Sequence, residues 1–254
     1  IDLILVASSS PDVIFPSVAC EVQKAIGADH ASGYDMQAAC TGFVFAYQTA
    51  QAYIEAGFYK TILLIGSEAL STMVDWTDRG TCILFGDGAG AAILCAAEGK
   101  TYLPAAHMDG RKGEALVCRS RFSDRFLEKY QNTGKVPGDT YISMDGRGVF
   151  QFAVKSVPQV VTEVLEKALL TTDDIDWFIL HQANQRIVES VAKRLKTDIE
   201  RFPMNLQEYG NTSSASIPIL LDEMNRDGRL KRGQKIIIAG FGAGLAWGAS
   251  ILEW

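Results

Sequence analysis

The sequence predicts an α/β fold made of two related halves. Three observations carry that prediction: strand-length apolar runs, amphipathic stretches between them, and self-similarity at a fixed offset. The apolar runs are Ile1–Ala7, Thr61–Gly66, Gly88–Leu94, Phe178–His181, Lys235–Ala239 and Ala246–Leu252. Their centres are apolar and their ends carry Gly, Ser or Asp, as in strands covered on both faces. Helices are expected over Phe15–Ile26, which ends at Gly27, and over Thr41–Ala56, which stops at Gly57. Phe150–Ala168 and Asn184–Leu195 have the same amphipathic period. Strands that alternate with helices indicate α/β architecture.

The self-similarity is specific. Ile1-Asp-Leu-Ile-Leu-Val resembles Ile175-Asp-Trp-Phe-Ile-Leu, and Lys60-Thr-Ile-Leu-Leu-Ile-Gly resembles Lys235-Ile-Ile-Ile-Ala-Gly, both at an offset of about 174. Phe85-Gly-Asp-Gly-Ala-Gly likewise echoes Phe241-Gly-Ala-Gly. The halves are drawn at 1–99 and 100–254. The second has 74 residues (101–174) ahead of its Ile-Asp strand and the first has none, so roughly 70 residues are expected to be absent from the front. On that reading the first half has fewer strands than the second.

Composition excludes several classes. The chain has 254 residues, 48% hydrophobic and 21% charged, enough for a sizeable core and inconsistent with disorder. No apolar run approaches the roughly 18–20 residues of a membrane span. A net charge of −6 argues against nucleic acid as a partner. The five cysteines, Cys20, Cys40, Cys82, Cys95 and Cys118, are odd in number with no CxxC. They suggest a reducing compartment, so a cytoplasmic protein is expected. His30, His107 and His181 have no metal-ligand spacing, and no metal is expected.

Four segments could carry chemistry. Asp35-Met-Gln-Ala-Ala-Cys-Thr-Gly-Phe places Cys40 at the first turn of a helix, where the dipole favours a nucleophilic thiolate. A buried structural cysteine is the competing reading, and it is taken for the other four. His181-Gln-Ala-Asn-Gln-Arg lies at a strand's C-terminal end, where ligands of α/β folds bind, although a lone His is often structural. Tyr209-Gly-Asn-Thr-Ser-Ser-Ala-Ser-Ile-Pro offers Asn211 as an uncharged donor, or as a plain turn and helix cap. Gly240-Phe-Gly-Ala-Gly exposes backbone amides that could line an oxyanion hole. Gly-Asp-Gly-Ala-Gly at 86–90 lacks the Lys-Ser/Thr of a phosphate loop and is set aside.

Together these segments resemble the β-ketoacyl-acyl carrier protein synthase III family, condensing enzymes of the thiolase superfamily. Phe15-Pro-Ser-Val-Ala-Cys, Asp78-Arg-Gly-Thr and Phe85–Leu94 add to the likeness, which covers essentially the whole chain. Asn211 as the third residue resembles the synthase III or chalcone-synthase-like branch rather than those with a second catalytic His or Cys, and the Gly-Asn-Thr-Ser-Ser-Ala-Ser-Ile-Pro wording is closer to synthase III. The resemblance implies a thiolase-like duplicated α-β-α-β-α layered fold and an acyltransferase that initiates fatty-acid synthesis. It implies Cys40 as nucleophile, His181 and Asn211 at the malonyl carbonyl, and an oxyanion hole from the amides of Cys40 and Ala243. Acyl transfer would then lean on the helix dipole, and decarboxylation on His181 and Asn211. Arg79, Phe85, Phe150, Ala183, Asn184, Arg186 and Phe241 correspond to substrate and coenzyme A neighbours. Phe15 corresponds to a residue that closes a partner's acyl pocket across a homodimer interface. The implied partners are acyl-CoA and acyl carrier protein, with no cofactor. Lys193, Arg194 and Lys196 make a basic face that an acidic carrier could use, or a plain solvated face. A related ketosynthase of secondary metabolism and a non-catalytic partner subunit are the alternative readings.

Overall fold

A computed structural model describes residues 1–121 and 124–254. In chain order the first half holds β1 (Leu3–Ala7), α1 (Val18–Ile26), β2 (Ser32–Met36), α2 (Gly42–Glu55), β3 (Thr61–Ala69) and β4 (Asp87–Cys95). The second half begins with β5 (Ala105–Met108), β6 (Leu116–Val117), α3 (Asp124–Thr133), β7 (Ser143–Met144) and α4 (Gly146–Ala168). It continues with β8 (Trp177–Leu180), α5 (Gln185–Leu195), α6 (Leu206–Tyr209), α7 (Ser216–Arg226), β9 (Lys235–Gly242) and β10 (Ala246–Glu253). One sheet has the order β2-β1-β3-β4 and the other β5-β10-β9-β8, while β6 and β7 form a short antiparallel pair.

The predicted repeat is present in the register. Leu3 pairs with Ile62 in parallel β1–β3, and Trp177 pairs with Ile236 in parallel β8–β9. Thr61 pairs with Cys95 in antiparallel β3–β4, as Lys235 pairs with Glu253 in β9–β10. The same 174 residues separate Leu3 from Trp177, Ile62 from Ile236 and Thr61 from Lys235.

The sheets stack as layers because their strands are apolar on both faces. Leu3 and Leu5 point inward and pack with Phe43, Ile217, Leu220, Ile236 and Ile238 around α2 and α7, the middle layer. Ile4 and Val6 point outward onto α1 through Ala19. Ile237, Ala239 and Phe241 face α4 and α5 on the other side. The layers are therefore α1, sheet, α2 with α7, sheet, and α4 with α5, the expected α-β-α-β-α order. Each fully buried Leu or Ile contributes about 1.5–3 kcal/mol of transfer free energy, and both the middle layer and the layer under α4 and α5 are built from such side chains.

Two expectations are corrected. Among the described residues the first sheet does not have fewer strands than the second; each has four. The count is restored by β2, whose Ser-Gly-Tyr-Asp-Met sequence has no strand signature but pairs along β1. Among the described residues the halves differ instead at their flanks: β1 has β2 beside it and β8 has no such neighbour, whereas β10 has β5 beside it and β4 has none. The outward side of β4 leaves Ile93 61% exposed. The first helix also starts at Val18 rather than Phe15, with Ser17 as its cap. The Asp35 carboxylate accepts from the free N–H groups of Val18 and Ala19 at 2.7 and 2.9 Å.

Candidate active site

The site forms where the C-terminal ends of β8 and β9 meet the turn before α2. Cys40 sits in a 3-10 turn (Ala39–Thr41) that runs into α2, and only 7% of it is exposed. The end of β9 passes directly beside it. A Cβ on Gly242 would stand 2.7 Å from Cys40 Cβ and 3.1 Å from its Sγ, so this position admits only glycine. Gly242→Ala is expected to displace the thiol and slow acylation of Cys40 by about 10²-fold, read by intact mass against time. An unchanged acylation rate would contradict the assigned close approach.

His181 continues β8 and donates its backbone N–H to Ala239 at 2.8 Å. Its ring is 1% exposed, lies edge-on to Phe241 and has Nδ1 2.7 Å from Ser216 Oγ. Burial pushes its pKa down to about 3, against a weaker upward pull from the Ser213 backbone, so the imidazole is neutral at ordinary pH.

Asn211 is held by a short bridge to the strand entrance. Its N–H donates to the Leu84 carbonyl, and its own carbonyl accepts from Gly86. Its side-chain Oδ1 accepts from the Ser213 N–H at 2.9 Å. With the oxygen engaged, the amide NH2 is the group left to donate into the cavity.

Two chambers meet at Cys40. One, about 230 Å³, is lined by Cys40, His181, Asn211, Phe150, Ala183 and Phe241. The other, about 420 Å³, runs past Cys40 among Leu70, Met73, Leu116, Cys118 and Ile142. Phe85 borders both. Ala243 lines the larger chamber beside Cys40. An outer cleft shares Leu84, Ala183 and Asn184 with the smaller chamber and adds Arg186, giving a path from the surface to the thiol. Asn184 also caps α5, its Oδ1 accepting from the Arg186 N–H at 2.9 Å. Arg79 is exposed and lines none of these spaces, although its neighbour Gly80 borders the smaller chamber. Phe15 is 83% exposed outside the chambers, and the adjacent Ile14 borders the larger one.

The thiol's ionisation differs from the sequence expectation. Burial pushes the Cys40 pKa up to about 12; the Ser213 hydroxyl lowers it and the nearby Glu68 carboxylate raises it further. Cys40 stands in the turn before α2, but its burial dominates the shift, and the resting group is a thiol. Glu68 had no signal beyond a charge at the end of an apolar strand. On β3 it falls on the same face as Ile62 and Leu64, which buries it. There it accepts from Ser9 N–H (3.0 Å), Ser10 Oγ (2.7 Å) and Ser214 Oγ (2.9 Å). Modification of Cys40 by iodoacetamide, followed by peptide mass, is therefore expected to rise about tenfold per pH unit from neutrality upward, without levelling. Glu68→Gln removes the facing charge and should move the profile to lower pH. A plateau near neutrality in the native protein would contradict the raised pKa.

Among the described residues no group of three or more His, Cys, Asp or Glu side chains is placed to hold a metal. The basic side chains Lys193, Arg194 and Lys196 lie at the end of α5, away from the thiol.

The comparisons with known proteins agree on one family. Residues 34–110 match the family model for 3-Oxoacyl-[acyl-carrier-protein (ACP)] synthase III, and residues 165–254 match the C-terminal model of the same family. A β-ketoacyl-[acyl-carrier-protein] synthase III from Clostridium acetobutylicum is 49% identical over the whole chain, which spans 77% of that relative. The chain belongs to the synthase III family. The crystal structure of the synthase III from Aquifex aeolicus VF5 superposes with a TM-score of 0.90 at 40% identity, covering all of this chain and 77% of that one. The priming β-ketosynthase of the R1128 polyketide pathway gives 0.92 at 34% identity, with coverage of 100% and 75%. The layered, duplicated fold is thus the thiolase-like fold of synthase III enzymes.

Proposed function

We infer that this synthase III initiates fatty-acid synthesis by condensing an acyl-CoA primer with malonyl-acyl carrier protein. The observation that carries this reading is the convergence of Cys40, His181 and Asn211 on one chamber reached from the surface by a cleft. Cys40 Sγ attacks the primer thioester carbon, the C–S bond to coenzyme A breaks, and the acyl group stays on Cys40 in the larger apolar chamber. Malonyl thioester then occupies the smaller chamber. Loss of CO2 leaves the C–C bond electrons as an enolate, whose oxygen receives hydrogen bonds from His181 and the Asn211 amide. The carbanion attacks the acyl carbon, the Cys40 C–S bond breaks, and solvent returns a proton to the thiolate. Products are 3-oxoacyl-acyl carrier protein, coenzyme A and CO2.

The oxyanion of each tetrahedral intermediate is assigned to the amides of Cys40 and Ala243, whose places beside the thiol support it. Each fixed donor of this kind is worth about 3 kcal/mol at a developing charge. Every step is carried by protein donors and the substrates' own thioesters, so the reading needs no cofactor. Phe85, Phe150, Ala183, Asn184 and Phe241 line the pantetheine path on this reading, with Arg79 and Arg186 toward the phosphates. The basic end of α5 is proposed to meet the acidic carrier protein. The exposed Phe15 supports a homodimer in which this side chain reaches the partner. Five unpaired cysteines support a cytoplasmic location, and no helix among the described residues is long and apolar enough to cross a membrane.

Similarity to a polyketide priming enzyme leaves the same three residues in the same roles, and only the primer would differ. Their joint retention argues against a non-catalytic subunit. Incubation with a panel of acyl-CoAs, followed by intact mass and then by malonyl-acyl carrier protein, tests the reading. An adduct on Cys40 that is discharged with CO2 release is expected. No adduct with any primer would refute it.

A further inference from the structure

Ser216 is the first residue of α7, 3% exposed, and it touches the catalytic ring directly. Its Oγ lies 2.7 Å from His181 Nδ1, 2.9 Å from the Ser213 carbonyl and 3.3 Å from the Gln182 backbone N–H. A serine hydroxyl has one proton to give and two lone pairs. With the proton directed to the Ser213 carbonyl, Oγ accepts from Gln182 and from an Nδ1–H, which makes His181 Nε2 a bare lone pair. With the proton directed to Nδ1, Nε2 carries the hydrogen. A carboxylate in the same place would lock the first form, as in serine-protease triads. The hydroxyl permits both.

The two half-reactions call for different forms. Cys40 rests as a thiol, so acylation needs an acceptor for its proton, and the Nε2 lone pair in the same chamber is one. That proton then passes from Nε2 to the sulfur of the departing coenzyme A, and the books of charge and proton close. Decarboxylation needs an N–H donor at the enolate oxygen, which is the other tautomer. We propose that Ser216 is a positioning residue whose two-way hydroxyl lets His181 present a lone pair for acyl transfer and an N–H for decarboxylation. The proposal rests on His181 meeting the malonyl carbonyl, but the ring's tautomer is readable without substrate and so stands or falls apart from turnover.

The chain contains only three histidines, His30, His107 and His181, so 15N-histidine labelling gives three rings, with His181 assigned by its loss in His181→Gln. The native His181 ring is expected to show averaged shifts from both neutral tautomers. In Ser216→Ala the remaining neighbour is the Ser213 backbone, and the ring is expected as the Nδ1–H form alone. Acylation of Cys40 by acyl-CoA should then stay within about threefold of native, while decarboxylation of malonyl-CoA falls tenfold or more. Ser216→Thr, which keeps the hydroxyl, should restore both the shifts and the decarboxylation. Unchanged shifts in Ser216→Ala, or equal losses in the two half-reactions, would overturn the proposal. Should Ser216→Ala not fold, the native spectrum decides: both tautomers support the proposal, and a ring locked in one form or protonated refutes it.

Discussion

Cys40→Ala is expected to leave the protein with no acyl-enzyme at all and to lower condensation by about 10⁴-fold or more. The expectation is sharper than for most cysteines because one other thiol competes on position. Cys118 also lines the larger chamber, with its Sγ 3.3 Å from the Thr140 carbonyl. Burial raises its pKa, with Arg121 opposing. It lacks what Cys40 has: a turn at the start of α2, the β9 glycine that brings backbone against the sulfur, and a place on the chamber that holds His181 and Asn211. Acyl label from a primer CoA should therefore map to the Cys40 peptide in the native protein and persist unchanged in Cys118→Ala. Cys20 and Cys95 are exposed and should react with alkylating reagents without taking up acyl groups. Recovery of the label on Cys118 would move the nucleophile. Malonyl decarboxylation should outlast the loss of Cys40, since the donors for the enolate are untouched.

What the sequence made legible follows from how local each signal is. The strands of the central layers are continuous apolar runs, and their repeat at 174 residues corresponds to equivalent registers, so fold class and duplication were readable. β2 was not. Ser32 to Met36 holds a glycine and polar residues, and it becomes a strand only because β1 offers an open edge for pairing. β5 is short, and its Ala105–Met108 sequence carries no alternation. In the site, Cys40, His181 and Asn211 stood at recognisable element ends. Ser216 stood inside a quoted motif but had no role, because its function depends on a ring 35 positions away in sequence. The thiol's ionisation was read from the helix start alone. Burial under β9 and the charge of Glu68 are tertiary facts, and they act in the opposite direction.

That reversal changes the second large prediction. If a helix dipole made the thiolate, loss of either His181 or Asn211 would spare acyl transfer equally. With a resting thiol, the two residues separate. Asn211 offers an uncharged amide, its oxygen accepting from the Ser213 N–H, and it has no basic group to take the thiol's proton. Asn211→Ala is therefore expected to leave Cys40 acylation within about threefold and to cut malonyl decarboxylation by 10²–10³-fold, the usual worth of about one oxyanion donor. His181 has a ring nitrogen free of the Ser216 contact, and on the proposed mechanism it serves both steps. His181→Ala should cost decarboxylation a similar factor and should also slow acylation by about 10²-fold at neutral pH, as expected for a lost proton acceptor. Because thiolate forms without help at high pH, the acylation defect of His181→Ala should shrink as pH rises, whereas its decarboxylation defect should not. Acyl-enzyme formation by intact mass across pH, beside CO2 release from malonyl-CoA, measures both. Equal acylation rates in the two variants at neutral pH would assign the thiol's activation elsewhere. A block of acylation by Asn211→Ala with decarboxylation intact would reverse the roles.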